Sequence, residues 1–115
     1  MTMTEGAKTA AATYLTSTYT YIGLGVGGDS TNPNTNELDA PAGSRVAITP
    51  VISGLSSIDY KMTFSGSSYT GLTLKEAGIF SASSGGTMLT RVNFAGIGPI
   101  SASESFEIII TVEVE

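Results

Sequence analysis

Four glutamates near the C-terminus come closest to a catalytic set in this chain. A pair of carboxylates is enough for glycoside cleavage, with one acting as the acid and the other as the base or nucleophile. Glu107, Glu113 and Glu115, however, alternate with apolar residues in a strand-like pattern, which predicts that they face water together. A hydrolase that uses Glu104 and Glu107 is therefore the least favoured of three functional hypotheses.

Histidine and cysteine are both absent from the chain. Their absence removes the usual general base near neutral pH, the thiol nucleophile, the Ser-His-Asp triad and Cys-type zinc sites. We therefore expect a protein with no enzymatic activity, no catalytic residues and no cofactor.

A polar segment in the first half of the chain supplies a dense set of oxygen ligands. Calcium prefers carboxylate and amide oxygens, but the spacing of an EF-hand is missing here, and a solvated loop turns on the same residue types. The sequence favours a loop without a metal ion and leaves open whether this loop binds a cation. The ligand candidates are Asp29, Asn32, Asn34, Asn36, Glu37 and Asp39.

The segment Gly23–Gly28 fits the G-x-G-x-x-G pattern of dinucleotide-binding turns and follows a predicted strand. A nucleotide site also needs a helix that begins at the glycines, because its N-terminus holds the pyrophosphate. Here a loop rich in asparagine, with Pro33, follows instead. We predict that this segment ends a strand with glycines, which have no side chains, and that it does not bind a nucleotide.

Five tyrosines could form a platform for sugars, but tyrosine also fills sandwich cores and subunit interfaces. Only Tyr60 has a clear inward position, because it belongs to a strand pattern that alternates with polar residues. A core or interface position is the favoured interpretation, and a ligand platform is the alternative. The five are Tyr14, Tyr19, Tyr21, Tyr60 and Tyr69.

The composition indicates what kind of domain must position these side chains. Serine and threonine make up 31 of the 115 residues, and glycine adds 14. Such a chain suits short strands joined by tight turns better than a helical bundle. The net charge is −5 with no basic cluster, so we expect no nucleic-acid partner. No stretch predicts a signal peptide or a membrane span, so we expect no membrane partner.

A helix is predicted over residues 4–15, where Thr4 can act as the N-cap and alanines recur at helical spacing. From Ser17 the pattern changes to a period of two, which predicts a strand that runs into the glycines. A second strand is predicted over Ser44–Ser53. Pro50 lies inside it and cannot donate to a ladder, so this strand is at an edge, bulged or broken there.

Later strands are predicted around Ile58–Ser65, within Tyr69–Ser81, over Thr87–Phe94 and after Ser105. Six or seven strands at this spacing predict an all-β fold, a small antiparallel β-sandwich that is jelly-roll-like. We expect one domain over residues 1–115, with residues 1–16 as a helical or extended N-terminal arm. The predicted inner face of the last strand is Phe106, Ile108, Ile110, Val112 and Val114. The face predicted for the strand before it is Met88, Thr90, Val92 and Phe94.

Two segments resemble conserved motifs of one protein family. Tyr21–Gly28 (YIGLGVGG), followed by Thr35-x-x-Leu38, is similar to the "YIAIGTG…T-x-L" opening of small proteins encoded in tailed-phage structural gene clusters. Lys75–Arg91 (KEAGIFSASSGGTMLTR) resembles their "EAGxFNASSGGTMLAR" segment, and its E-x-G-hydrophobic-F element also looks like that of tail-collar and tail-fibre domains. Two departures are Ser81 in place of an asparagine, and Arg45 alone where the family carries a glutamate and an arginine between the segments.

The second motif can also be interpreted physically. Gly85 and Gly86 can supply the positive φ angles of a hairpin turn, and Gly78 allows a close backbone approach within a strand. Glu76 and Arg91 fall on adjoining strands, so we expect them to pair across the hairpin.

The resemblance implies a virion location and no activity. We therefore expect a non-catalytic structural protein of a tailed-virus particle that assembles in symmetric copies on the capsid exterior, as a decoration or cement protein, or on the tail. Its expected partners are other copies of itself and the major capsid or tail protein. The alternative is a receptor- or glycan-binding adhesion module of a tail fibre. Attachment is expected to use Gly27–Pro41 or Met1–Thr16, and the candidate assembly contacts are Asp29, Asn32, Asn34, Asn36, Leu38, Tyr19 and Tyr21.

Overall fold

The computed structural model describes residues 3–28, 36–54 and 56–114. In this part of the chain one α-helix, α1 (Glu5–Thr18), precedes seven strands that form two antiparallel sheets, and a short 3-10 helix (Gly66–Ser68) lies between the fourth and fifth strands. The four-stranded sheet has the order β2-β1-β5-β6 and the three-stranded sheet the order β3-β4-β7. The predicted small antiparallel β-sandwich with a short N-terminal helix is thereby confirmed. The strands are β1 (Tyr21–Gly25), β2 (Pro41–Ala47), β3 (Val51–Ser53), β4 (Ser57–Ser65), β5 (Leu74–Phe80), β6 (Met88–Ile97) and β7 (Ser105–Glu113).

Helix α1 begins where the sequence predicts and ends later. The hydroxyl of Thr4 accepts a hydrogen bond from the Ala7 amide at 3.2 Å, which confirms the N-cap. The helix continues to Thr18, so the strand predicted from Ser17 was wrong at its start: β1 begins only at Tyr21. Ala12 is fully buried in the core, and this packing favours the helix over the weak local propensity of its threonines.

The strand predicted over Ser44–Ser53 is two strands in two different sheets. Strand β2 already begins at Pro41 and ends at Ala47, and β3 contains only Val51–Ser53. Pro50 lies between them, outside both ladders, so the chain is broken where the proline predicts. Both strands lie at sheet edges, and the short connection carries the chain from one sheet to the other.

Strands β4 and β7 pair over nine residues without a register shift, from Ser57 opposite Glu113 to Ser65 opposite Ser105. Their alternation therefore persists along the whole ladder, and the predicted inner faces, including that of Tyr60, are confirmed. One hydrophobic core joins the two sheets and α1. Its buried members are Ala12, Ile22, Leu24, Ile48, Ile58, Tyr60, Phe64, Tyr69, Leu74, Ala77, Ile79, Ile100, Ile108 and Ile110.

Strands β5 and β6 form the predicted hairpin, and both glycines of its turn have positive φ, 66° at Gly85 and 67° at Gly86. The face predicted for β6 is only partly correct, because Val92 is 38% exposed whereas Leu89 packs against the core together with Phe94. A register shift near the turn, between the pairs of Ile79 and Phe80, interrupts the regular alternation on which the prediction depends.

Candidate functional site

The outer face of the four-stranded sheet carries a buried carboxylate. Glu76 lies on β5, between Gly25 of β1 and Asn93 of β6, and its side chain is fully buried. Oxygen Oε2 accepts hydrogen bonds from the amides of Gly27 and Ala40, both at 2.8 Å, and Oε1 accepts one from the amide of Asp39 at 2.9 Å. The carboxylate therefore holds both ends of the connection between β1 and β2.

The glycine-rich segment makes room for this carboxylate. A Cβ atom on Gly25 would lie 2.6 Å from Oε2 of Glu76 and 2.7 Å from the carbonyl oxygen of Ala40. A Cβ atom on Gly27 would lie 2.6 Å from the same oxygen and 2.5 Å from a carboxylate oxygen of Asp39. These glycines thus end a strand without side chains, as predicted. The Glu76 carboxylate occupies the space beside them, and the Gly27 amide donates a hydrogen bond to it.

Arg45 on the edge strand β2 holds further parts of the same outer face of the four-stranded sheet in place. Its guanidinium lies 3.6 Å above the centre of the Phe80 ring and donates to the carbonyl oxygens of Ala82 at 2.9 Å and Gly85 at 2.8 Å. It also donates to the Asn36 carbonyl at 3.2 Å, and it forms an ion pair with Glu37 at 3.4 Å. With only 8% of the side chain exposed, Arg45 connects the β1–β2 connection to the β5–β6 turn.

The ion pair predicted between Glu76 and Arg91 is not formed. Strands β5 and β6 are neighbours as expected, but the register places Arg91 opposite Gly78, and Glu76 faces Asn93. The guanidinium of Arg91 donates to the backbone carbonyl of Glu37 at 2.8 Å, while the described partners of Glu76 are backbone amides. Glu76 is therefore an acceptor of backbone amide hydrogen bonds, a role that the sequence did not predict.

The predicted contact residues of the polar segment have different positions. Leu38 is buried against the chain's own sheet, where its methyl group covers Gly78, so it is not exposed for a partner. The carbonyl of Asn36 accepts from Arg45. No group of three or more potential metal-ligating side chains occurs among residues 3–28, 36–54 and 56–114. The predicted contacts Asp29, Asn32 and Asn34 lie outside the described residues.

A shallow cavity of about 180 Å³ opens between the β1–β2 connection and the β5–β6 turn. Its polar lining includes Glu37, Ser44 and Arg45 on one side and Ser83 and Ser84 on the other. Sites for small organic molecules commonly enclose about 300–1,000 Å³. The Arg45 guanidinium lines this cavity, and it already donates hydrogen bonds to backbone carbonyls of the domain. The arrangement therefore holds the β1–β2 connection and the β5–β6 turn together.

Two of the five tyrosines are not available for a sugar platform. Tyr60 and Tyr69 are buried in the core, and burial raises the pKa of both hydroxyls, that of Tyr60 to about 12 with a smaller contribution from nearby Tyr19. Tyr19 and Tyr21 are partly buried, and only Tyr14 is well exposed, at 61%. The structure thus supports the core interpretation for Tyr60 and Tyr69.

Four of the seven large apolar side chains that are exposed in the described ranges lie on α1, two residues before it, or on the neighbouring strand β3. Tyr14 of α1 and Val51 of β3, which is 60% exposed, are the largest, and Met3 and Ile52 add smaller exposed areas. The two elements contact each other, and β3 is one of the two edge strands of its sheet. We call these four residues the α1–β3 surface. Large exposed apolar side chains on two neighbouring elements make these elements a candidate interaction surface.

No family model and no curated protein sequence matches this chain. None of the helices in the described ranges is long and apolar enough to cross a membrane.

Proposed function

We propose that this chain is a non-catalytic structural protein of a tailed-virus particle, present in symmetric copies on the capsid exterior or the tail. The observation that carries the proposal is the α1–β3 surface, which presents apolar side chains, whereas Glu76 and Arg45 bind the loops of the domain itself. The resemblance of Tyr21–Gly28 and Lys75–Arg91 to small phage structural proteins supports the same conclusion.

Attachment through α1 fits the way the helix is held. Ala12 is its one fully buried residue, and its most exposed large apolar side chain, Tyr14, lies one turn before its end. A helix that buries so little in its own domain gains packing when a neighbouring protein covers its other side. Repeated copies on a symmetric particle then turn weak single contacts into firm attachment.

The other attachment segment predicted, Gly27–Pro41, is held differently. Its described ends are fastened to the sheet by Glu76, and Leu38 is buried beneath it. These residues gain little further burial from a partner, so the α1–β3 surface is the stronger candidate. The occupant we assign to that surface is the major capsid or tail protein.

A receptor- or glycan-binding module of a tail fibre is the second candidate function. The polar rim of the shallow cavity, with Glu37, Ser44 and Ser84, is the feature that favours it. A symmetric reconstruction of the particle by electron cryo-microscopy separates the two functions. Copies spread over the capsid or along the tail support the structural role, whereas copies confined to a distal fibre tip support adhesion and overturn it.

A matched pair of variants tests the surface itself. Val51→Asp places a charge on the exposed edge strand, and Ala102→Asp places the same charge on the exposed turn between β6 and β7. Each variant is supplied to a virus that lacks the gene, and its copies per purified particle are measured. We expect Val51→Asp to be lost from particles and Ala102→Asp to be retained. Equal incorporation of two folded variants would exclude the α1–β3 surface as the attachment site.

A further inference from the structure

Strand β7 is a long, regular strand at the edge of its sheet. It pairs with β4 on one side over nine residues without a register shift, and it has no strand on the other side among the described residues. The other three edge strands differ: β3 has three residues, and the ladders of β2 and β6 contain register shifts. Native proteins usually shorten, bend or cover such an edge, since its open backbone groups can pair with another chain.

The hydrogen bonds at the two ends of the ladder show which backbone groups are open. The amide of Val114 donates to the Ser56 carbonyl at 3.0 Å, and the amide of Gly66 donates to the Glu104 carbonyl at 2.8 Å. Both pairs continue the β4–β7 register, so the even-numbered residues of β7 bond to β4. The alternation of an antiparallel ladder then directs the N–H and C=O groups of the odd-numbered residues to the open edge. These are Ser105, Glu107, Ile109, Thr111 and Glu113.

The side chains at these open positions contain one large apolar residue. Ile109 is 57% exposed at the middle of the strand, on the outer face of the sheet. On β4 and β7 the rest of that face is polar: Lys61 lies beside Ile109 and forms an ion pair with Glu107 at 3.7 Å, and Thr111 donates to Asp59 at 3.0 Å. An exposed isoleucine at the centre of the otherwise polar face of β7 has no role in the domain's own core.

We propose that two copies of this chain pair through β7, antiparallel and with the two-fold axis at Ile109, so that the three-stranded sheets join into one continuous sheet. A symmetric pairing centred there uses the whole strand and brings open groups opposite open groups. Ile109 then faces its own counterpart, Glu107 faces Thr111, and Ser105 faces Glu113. On the inner face Ile108 meets Ile110, and Phe106 meets Val112.

The charges favour this register over the one centred on the next residue, Ile110. Shifting the axis to Ile110 would place Glu107 opposite Glu113 across the interface, and like charges directly opposite each other destabilise a sheet. Centred on Ile109, no glutamate faces another, and the charge of Glu107 is already partly offset by Lys61. The two glutamates, which would discourage other edge contacts, are thus compatible with one specific self-pairing. This inference does not depend on the virion assignment.

The purified chain tests the proposal directly. Sedimentation equilibrium over a wide range of concentrations should give a dimer of twice 11.8 kDa. Ile109→Lys, which places two ammonium groups together at the axis, should yield a monomer. Thr63→Lys adds the same charge on the same exposed face of β4, away from the edge, and should leave the dimer intact. A monomer at every concentration, or a dimer that Ile109→Lys leaves unchanged, would overturn the proposal.

Engineered cysteines test the register, because the chain has none of its own. At Ile109→Cys the two Cα atoms would lie about 5.5 Å apart in a hydrogen-bonded pair, within the range of a disulfide. At Thr111→Cys they would be four residues apart along the strands, about 13 Å. Mild oxidation should therefore cross-link the first variant rapidly and the second hardly at all. Equal cross-linking of both, or of neither, would contradict pairing at this axis.

Discussion

Replacing Glu76 with glutamine is the smallest change that tests whether the buried carboxylate holds the β1–β2 connection. The two side chains have nearly the same size, so the substitution leaves the packing unchanged. It removes a negative charge and turns one acceptor atom into a donor. Three amide N–H groups point at the carboxylate, those of Gly27 and Ala40 at Oε2 and that of Asp39 at Oε1.

The expected loss follows from these three hydrogen bonds. Glutamine keeps the most bonds when its oxygen takes the place of Oε2, and its NH₂ group then faces the amide of Asp39. A buried donor without an acceptor costs about 1–3 kcal/mol, and a hydrogen bond to a neutral acceptor is roughly half as strong as one to a charged acceptor. Together these terms lower the free energy of unfolding by about 2–4 kcal/mol, a large part of the stability of a typical domain.

Equilibrium unfolding in urea measures this loss, and Glu104→Gln is the matched control. Glu104 is exposed and accepts one amide hydrogen bond, from Ser101 at 2.8 Å, which a glutamine oxygen can retain. We expect the control to lose less than about 0.5 kcal/mol, as exposed substitutions usually do. If the two variants lose the same free energy of unfolding, the buried carboxylate does not stabilise the fold as argued.

Amide hydrogen exchange locates the effect. In the unchanged chain the amides of Gly27, Asp39 and Ala40 should exchange slowly, because each donates to a buried oxygen. In Glu76→Gln the amide of Asp39 should lose most of its protection, while Gly27 and Ala40 lose less. Unchanged protection at all three positions would refute the assigned role of Glu76.

Three further predictions concern the core, the glycines and the response to alkaline pH. Ile110→Asp should prevent folding because an unpaired buried carboxylate costs several kcal/mol. Thr111→Asp on the exposed face should remain soluble and show a thermal unfolding transition. Equal behaviour of the two variants would mean that the assigned faces of β7 are reversed. Thermal melting should show that Gly6→Ala stabilises the domain by up to about 1 kcal/mol, because Gly6 lies in a helix and a Cβ atom there has no neighbour within 4 Å. Gly25→Ala should destabilise it by about 1–3 kcal/mol, because its Cβ atom would clash with the buried Glu76 carboxylate. Because burial raises the pKa of Tyr60 from 10.0 to about 12, the folded chain keeps a proton that the unfolded chain releases, so this contribution is complete below pH 10 and is lost between pH 10 and 12. Urea titrations should show that loss, at about 1.4 kcal/mol per pH unit, and Tyr60→Phe should make it shallower; an unchanged slope would assign the loss to other groups.

The sandwich is predictable because its strongest signals are local. In β7 every inward position is apolar and every outward position except Ile109 is polar, and the pairing with β4 has no bulge, so the alternation in the sequence largely matches the pattern of burial. The end of α1 is not predictable in the same way. Residues around Ser17 suit a strand by composition, and the packing of Ala12 and Leu15 against the core favours the continuation of the helix to Thr18.

The fastened face of the four-stranded sheet could not be predicted from local patterns, because its contacts are distant in sequence. Glu76 binds the amides of Gly27 and Ala40, which lie 49 and 36 residues away. Backbone amides carry no sequence signature, so a glutamate that binds them resembles any glutamate. One signal was present: β1 carries glycines at every second position, Gly23 and Gly25, and such spacing on one face of a strand indicates that another group occupies the space there.

Because Glu76 binds both ends of the β1–β2 connection, the length of that connection has little effect on the stability of the domain. The amides of Gly27 and Ala40 bind the same carboxylate oxygen, so the chain between them is closed at its base by the sheet itself. Lengthening that segment adds only a closure entropy that grows slowly with the number of residues, about 0.6 kcal/mol for each doubling. The domain can therefore accept different sequences between Gly28 and Asn36, provided that residues 36–39 keep their contacts with Arg45, Arg91 and the sheet, and this segment is suited to peptide insertion and display.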